Sequence, residues 1–188
     1  MKKNTEPRQL FHEFGPLFSD HSETLILGSF PSVKSREVQF YYGHPQNRFW
    51  RIMRALYDPK MQQRVQRGEK VPLPETLEEK KQLILEHNLA LWDTIESCTI
   101  VGSSDSSIRN VVVTDLPRLL MQCPIRRIYC NGTASYQLFL KYSLPVLETW
   151  CQEQKREAPL VAKLPSTSPA NAAWSMERLL EEWNVIVE

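Results

Sequence analysis

Four short apolar runs, each meeting a turn signal, constrain the fold of this chain more than any other feature. Their length and bounding residues are typical of buried β-strands, which we predict at residues 24–30, 89–95, 125–130 and 160–164. Helical patterns lie between them, and strands that alternate with helices pair in parallel through right-handed crossovers. We therefore expect an α/β fold: a three-layer α/β/α sandwich around a central, mainly parallel four-stranded sheet.

The segments between the strands have apolar residues at spacings of three and four, or a recognisable helix cap. The clearest cap is the pair Thr76 and Glu79, which forms a capping box. Helices are predicted at residues 47–58, 76–87, 133–142, 144–157 and 170–183. The segment 61–73 is the best candidate for a mobile surface insertion.

Composition and charge exclude two classes of protein. Of 188 residues, 41% are hydrophobic and 24% charged, which excludes a disordered chain and predicts a packed core. The length predicts one domain spanning residues 1–188. Lys and Arg number 23 and Asp and Glu 22, which excludes a polycation that coats nucleic acid through net charge alone. Residues 34–70 nevertheless hold nine basic and three acidic side chains. This local excess predicts contact with a phosphate backbone, unless salt bridges on a solvated helix face account for it.

Signals for compartment and cofactor are few. The sequence shows neither a signal peptide nor an apolar stretch long enough to span a bilayer. The cysteines Cys98, Cys123, Cys130 and Cys151 lie far apart with no C-x-x-C pair, which predicts reduced thiols and no zinc or iron–sulfur site. We expect a cytoplasmic protein without membrane contact, metal or other cofactor.

Small and polar residues follow each predicted strand. They are residues 28–32, Asp93, the pair Asn131 and Gly132, and residues 165–169. Ligands of open α/β sheets bind beyond the carboxyl ends of the strands. The sequence therefore predicts one site at this edge of the sheet.

Five motifs in a fixed order carry a family resemblance. They are GSFPS at 28–32, FYYGHPQNRFW at 40–50, LWDT at 91–94, GSSDSSIRN at 102–110 and LPSTSPAN at 164–171. Together they resemble the uracil-DNA glycosylase superfamily, and most of all its hypoxanthine-DNA (deoxyinosine) glycosylase branch. The HPQNRFW stretch is also similar to the mismatch-specific thymine/uracil branch. The resemblance implies a monofunctional DNA glycosylase of base-excision repair, with DNA containing deaminated bases as its partner.

The resemblance also implies how a base would be bound. Excision requires flipping the base into a pocket that stacks on its face and reads its edge. The aromatic residues 40–42 can supply the stacking platform, with Tyr42 in the stacking position, whereas core packing is the alternative for Phe40 and Tyr41. The loop of Gly28, Ser29 and Phe30 would place backbone amides against the base carbonyl.

Asp93 and Asn47 are the candidates for base reading and for catalysis. Asp93 stands where uracil-specific relatives carry Asn, and its carboxylate would accept the N1–H of hypoxanthine but offer no donor to a uracil carbonyl. Phe30 replaces the Asp or Asn that many relatives use to position water, and Asn47 matches the catalytic Asn of the hypoxanthine branch. A helix cap is the alternative role for both Asp93 and Asn47. His44 is a second catalytic candidate, for polarising the base or contacting a phosphate.

LPSTSPAN resembles the superfamily's second motif, whose loop enters the minor groove. Ser166 and Ser168 would bond phosphates beside the flipped nucleotide. Pro169, Ala170 and Asn171 replace the bulky wedge of some relatives, so plugging of the vacated stack is expected to be weaker or to fall to Asn171. A helix-entry cap is the alternative for this loop, and a solvated-loop role is the alternative for Arg109. The predicted DNA contacts are Pro31, Ser32, Arg48, Arg109, Ser166, Thr167, Ser168 and Asn171.

The expected reaction is hydrolysis of deoxyinosine to release hypoxanthine, by a monomer. Removal of uracil or mismatched thymine is an alternative that HPQNRFW favours and that Phe30 and Asp93 disfavour. A non-catalytic protein that binds damaged DNA is a further alternative, because the usual first-motif acid is missing. Lyase chemistry would need a lysine nucleophile, and Lys163 lies inside a predicted strand.

Overall fold

The computed structural model describes residues 7–101 and 108–187. The described chain forms strands in two sheets and helices that surround them. The strands are β1 (Pro7–Phe11), β2 (Thr24–Gly28), β3 (Leu89–Asp93), β4 (Ile95–Val101), β5 (Arg109–Val113), β6 (Arg127–Asn131) and β7 (Leu160–Leu164). The helices are α1 (Val33–Glu37), α2 (Phe49–Tyr57), α3 (Pro59–Gln66), α4 (Leu77–Leu85), α5 (Leu116–Leu120), α6 (Thr133–Leu138), α7 (Leu144–Glu153) and α8 (Met176–Trp183). A π-helical turn, Phe139–Ser143, joins α6 to α7, and a 3-10 turn, Asn184–Ile186, follows α8.

The central sheet has the strand order β3-β2-β6-β7, and all its neighbouring strands are parallel. Every residue of β2 and β3 is buried, and successive side chains face opposite sides of the sheet. Leu25 and Leu27 pack in one core with α5 and α7, whereas Ile26 packs in another with α2, α4 and α8. Helices thus cover both faces, and the predicted three-layer α/β/α sandwich is confirmed.

The second sheet, antiparallel in the order β1-β4-β5, has no counterpart among the predicted strands. The strand predicted at residues 89–95 is divided between two sheets: its first five residues form β3 of the parallel sheet, and Ile95 begins β4 of the antiparallel sheet. The break falls at Thr94, whose backbone N–H and hydroxyl both donate to the Gly28 carbonyl, at 2.9 and 3.0 Å. Because the apolar run continues across this break, periodicity alone did not reveal it.

Residues 61–73, predicted as a mobile surface insertion, are mostly exposed but include a helix and two packed apolar side chains. Asp58 caps α3 by accepting a hydrogen bond from the Lys60 N–H at 2.9 Å, and α3 occupies the first half of the segment. Val65 and Val71 are buried against Leu180 of α8. Two apolar side chains in a polar segment were too sparse a signal to show this packing.

The observed start of the last helix differs from the predicted start, because a capping residue and not the apolar periodicity sets it. The last helix begins at Met176 and not at residue 170, because Ser175 caps it by accepting from the Arg178 N–H at 3.3 Å. Residues 170–175 remain in the loop that follows β7. This difference matters because the loop borders the site described below.

All four cysteines are buried. In the two described ranges, no helix has both the length and the apolar character needed to cross a membrane. Those ranges also contain no group of three or more His, Cys, Asp or Glu side chains placed to hold a metal ion.

Candidate active site

A cavity of about 840 Å³ opens at the carboxyl ends of β2, β3, β6 and β7, where the sequence predicted a site. Its volume lies within the range of small-ligand sites. The predicted site residues that line it are Gly28, Ser29, Phe30, Pro31, Ser32, Tyr42, Asn47, Asp93, Ser166, Thr167, Ser168 and Asn171. His44, Arg48 and Arg109 do not line it.

One side of the cavity, which we call the strand wall, consists of residues 28–30 and Asp93. Gly28 lies beside Asp93 in the register of β2 and β3. A Cβ at position 28 would stand 2.0 Å from Oδ1 of Asp93, so only glycine lets this carboxylate lie across the end of β2. Asp93 is 6% exposed, and Oδ1 has no hydrogen-bond partner among the described residues.

His12 holds the other oxygen of Asp93. Its Nε2 lies 2.9 Å from Oδ2, and both side chains are almost fully buried. The backbone N–H of His12 donates to the Glu96 carbonyl at 2.7 Å, and the Phe14 ring packs edge-on against the imidazole at 4.5 Å between centroids. Sequence reasoning missed His12, because it lies 81 residues from Asp93 and in none of the five motifs.

Tyr42 lies between the strand wall and α2. Its ring stacks on Phe49, with centroids 3.8 Å apart and planes at 24°. Its backbone has φ of 51°, a left-handed conformation that costs energy for a tyrosine and is often found at functional sites. Burial, and then the charge of Asp93, raise the pKa of the Tyr42 phenol well above its ordinary value. Asn131 is near enough to lower that pKa somewhat, but its amide is bonded at both ends to Thr167.

The other two aromatics of the cluster belong mainly to the core. Phe40 is buried and stacks on Trp50, with centroids 5.8 Å apart. Tyr41 is buried, donates its hydroxyl to the Gly15 carbonyl at 2.9 Å, and also lines the cavity. The core-packing alternative therefore describes Phe40, and Tyr42 presents the better platform for a base.

Asn47 lies in the cavity, one residue before Arg48, the N-cap of α2, and its side chain supplies the capping bond that the Arg48 side chain does not make. Its Oδ1 accepts a hydrogen bond from the Phe49 N–H at 2.9 Å. A carbonyl oxygen has two lone pairs, so the cap leaves one acceptor direction for a water molecule, and the two roles are compatible. His44 points its Nδ1 at the N–H of Gln46, 3.2 Å away, outside the cavity lining.

The opposite side of the cavity, which we call the loop wall, consists of residues 165–171. Asn131 bonds Thr167 twice, through Nδ2 to the hydroxyl at 2.9 Å and through Oδ1 to the N–H at 3.0 Å. Gly132 has φ of 96°, and a Cβ there would lie 2.8 Å from the Cβ of Ser166, so glycine permits this close approach. Thr167 is fully buried, and its hydroxyl faces the protein and not the solvent.

Arg48 fixes the loop wall from outside the cavity. Its guanidinium donates to the carbonyls of Ser168 at 2.8 Å and Asn171 at 2.9 Å, and also to those of Thr167 and Trp174. Burial lowers the pKa of Arg48, since these partners carry no net charge. Arg48 therefore has a set of backbone partners within the protein, and its contact with a phosphate stays a prediction.

Two further parts of the predicted DNA surface can be placed. Arg109 is the first residue of β5 and is not part of the cavity lining, and residues 102–107 of the same motif lie outside the described residues. Several arginines of the basic stretch donate to backbone carbonyls. They are Arg36, Arg48, Arg51, Arg54 and Arg64. Their charge remains, but much of their bonding capacity is spent within the protein.

The fold and the site together define an α/β protein with a small-ligand cavity beyond the carboxyl ends of a parallel sheet. Comparison with known proteins narrows this class. Residues 16–186 match the family model described as the uracil DNA glycosylase superfamily. The chain belongs to this superfamily, as its motifs predicted, and DNA is the substrate class that membership implies.

Three relatives extend the comparison. The chain is 32% identical to the hypoxanthine DNA glycosylase of Methanosarcina acetivorans over 175 residues, covering 92% of this chain and 95% of the relative. It is 28% identical to the hypoxanthine DNA glycosylase of Methanosarcina barkeri over 123 residues, covering 65% and 71%. A solution NMR structure from M. acetivorans, described as a candidate uracil DNA glycosylase, superposes with a TM-score of 0.65 at 26% identity, covering 93% and 97%. These relatives confirm the predicted enzyme class, a DNA glycosylase that hydrolyses N-glycosidic bonds.

Proposed function

We propose that this DNA glycosylase removes hypoxanthine from deoxyinosine by hydrolysis, as a monofunctional enzyme. The observation that carries the proposal is the Asp93 carboxylate, which lies over Gly28 with Oδ1 unbonded at the cavity. Hypoxanthine presents an N1–H donor on the edge that a flipped base turns to its pocket. An ionised carboxylate can only accept hydrogen bonds, so it suits this donor. The names of the two curated relatives support the same substrate.

The remaining lining residues support the other steps. The Tyr42 ring offers a face for the flipped base, and its stack on Phe49 fixes that face in place. Asn47 supports a water molecule through the free lone pair of Oδ1. That water attacks C1′ while the N-glycosidic bond breaks, and it releases a proton to solvent. The base leaves as a lactam anion and takes up a proton from solvent. The phosphates beside the flipped nucleotide are assigned to the loop wall, where Ser166 and Ser168 line the cavity.

Uracil is the second candidate substrate. The superfamily name and the description of the solved structure favour it. The Asp93 carboxylate disfavours it, because a uracil carbonyl that faces this oxygen finds no donor. We expect the enzyme to act as a monomer in the cytoplasm, and both expectations remain predictions.

A panel of duplexes tests the substrate. Each duplex carries one inosine, uracil, xanthine or G·T mismatch, and hot alkali cleaves the strand at any abasic site formed. We expect inosine to be cut fastest. Faster cutting at uracil or mismatched thymine would establish the second candidate, and no abasic product from any duplex would favour a protein that only binds damaged DNA.

Two substitutions at position 47 separate catalysis from capping. Asn47→Ala is expected to lower inosine cleavage by about 100-fold, as when a reacting water molecule is no longer held in position. Asn47→Ser keeps a side-chain oxygen suited to capping α2 but too short to hold the same water. Full activity of Asn47→Ser would show that capping is the role that matters.

Borohydride trapping tests the monofunctional mechanism. Lys163, which the sequence placed inside a strand, has an exposed side chain that reaches the cavity from β7. We expect no covalent adduct between protein and DNA, because water and not an amine attacks C1′. An adduct that disappears in Lys163→Ala would establish lyase chemistry instead.

A further inference from the structure

His12 is the least explained group of the site. It comes from the end of the polar β1 region, outside the parallel sheet that forms the cavity, and it contacts the base-reading candidate directly. Its Nε2 lies 2.9 Å from Oδ2 of Asp93, and its side chain is 1% exposed. A buried bond between two titratable groups is costly to build, so its function requires an explanation.

The surroundings of the two ring nitrogens of His12 indicate which one carries the proton. Nδ1 of His12 is buried and has no partner among the described residues. A protonated Nδ1 would therefore be a buried N–H without an acceptor, whereas an unprotonated Nδ1 leaves only a lone pair, and orphaned buried N–H groups are rare. The tautomer that satisfies the site carries its proton on Nε2 and donates it to Asp93, which accepts as a carboxylate.

Among the described residues, Asp93 makes no other side-chain hydrogen bond, and the nearby Tyr42 hydroxyl is itself without a partner. The titratable groups around the pair are Tyr41, Tyr42 and Glu96, and the nearby cation Arg36 lies over the Phe30 ring at 5.7 Å. Tyr41 donates its hydroxyl to Gly15, and Arg36 donates to the Pro31 carbonyl at 2.7 Å. Only His12 makes a hydrogen bond to the Asp93 side chain among the described residues.

We propose that His12 is a positioning residue that holds Oδ2 of Asp93 through its Nε2–H, so that Oδ1 faces the cavity as the acceptor for N1–H of a flipped hypoxanthine. This inference rests on the proposed function. Two constraints then set the carboxylate, one from the missing Cβ of Gly28 and one from His12. Without His12 the carboxylate would be free to rotate away from the base.

The test uses three variants and two DNA ligands. His12→Phe keeps a ring but removes the donor, and it is expected to lower kcat/KM on an inosine duplex about 10- to 100-fold, as for loss of a hydrogen bond to a charged group. His12→Gln keeps an amide N–H near the position of Nε2 and is expected to retain activity within about threefold of the wild type. In an Asp93→Asn background, His12→Phe should cause no further loss, because His12 acts only through Asp93.

A duplex with a tetrahydrofuran abasic analogue is the second ligand, since it offers no base edge to read. We expect His12→Phe to bind it as tightly as the wild type does. Equal losses on the inosine and abasic duplexes, or a loss that persists in the Asp93→Asn background, would show that His12 serves only to hold the fold and would overturn the proposal.

Imidazole ¹⁵N NMR gives a readout that does not depend on turnover. The His12 signal is expected to show a protonated Nε2 and an unprotonated Nδ1, and the reverse tautomer would overturn the proposal. A wild-type protein that leaves inosine uncut would remove the proposed function and this inference together. Inosine cleavage that is unaffected by His12→Phe would remove the inference alone.

Discussion

The strand wall and the loop wall face the same cavity but are held by different interactions. In the strand wall, one buried ionisable pair, His12 and Asp93, sets the orientation of a single carboxylate. In the loop wall, Arg48 donates to several backbone carbonyls of residues 167–174, and Asn131 bonds both the N–H and the hydroxyl of Thr167. One wall therefore depends on the exact place of one group, and the other depends on the shape of a whole loop.

This difference separates specificity from positioning. A base edge is read by individual donors and acceptors, so one misplaced oxygen in the strand wall changes which base is accepted. A phosphate backbone is held by several modest contacts, so the loop wall tolerates the loss of any one of them better. Substitutions in the two walls should accordingly differ in kind as well as in size.

The largest effect is expected for Gly28→Ala. The added methyl would stand 2.0 Å from Oδ1 of Asp93 and would force the carboxylate away from the cavity and from His12. We expect kcat/KM on inosine to fall about 100-fold, as when a hydrogen bond to a charged group is lost. Gly15→Ala is the matched control, because a Cβ there meets nothing within 4 Å. An active Gly28→Ala enzyme would contradict the role given to the strand wall.

A smaller effect is expected for Arg48→Met. Loss of the guanidinium removes the bonds to Ser168, Asn171 and their neighbours, and should lower the free energy of unfolding by about 2 kcal/mol. Denaturant titration measures this loss. Lys34→Met is the control, since the Lys34 pair with Glu37 is exposed and should change stability little.

The salt dependence of DNA binding separates the two roles of Arg48. If Arg48 acts through the loop, affinity falls in Arg48→Met but the slope of log affinity against log salt stays the same. If Arg48 contacts a phosphate, the slope decreases by about one. The second result would restore the phosphate contact that the sequence predicted.

The smallest effect is expected for Tyr42→Phe, which keeps the ring between the walls and removes a buried hydroxyl that has no partner among the described residues. At pH 8 the unfolding free energy should change by less than about 0.5 kcal/mol, and inosine cleavage should persist.

Because burial raises the pKa of Tyr42 in the folded protein, the wild type loses stability as pH rises above about 10, where the unfolded tyrosine ionises first. Above that pH, the unfolding free energy of Tyr42→Phe should therefore rise relative to that of the wild type, by up to about 1.4 kcal/mol per pH unit. Urea titrations at several pH values measure this difference. A large loss of cleavage at pH 8 would show that the hydroxyl itself contacts the base.

Much of the fold could be predicted because its central strands are locally marked. All four predicted runs contain strands of the parallel sheet, and their ends do converge on the cavity. The antiparallel sheet escaped prediction because β1 is mostly exposed and pairs with β4 across a wide gap in sequence, with Phe11 opposite Ser97. Its strands are defined by their partners more than by their own residues.

The candidate site divides in the same way. The sequence by itself determined the sheet, the family and the placement of Gly28, Asn47 and Asp93 near one another, since strand ends and motifs are local patterns. Only the tertiary structure decided that His12 bonds Asp93 and that Arg48 bonds the loop wall, because these contacts join segments 81 and 120 residues apart. Hydrogen bonds depend on distance in space, and no periodicity along the chain records them.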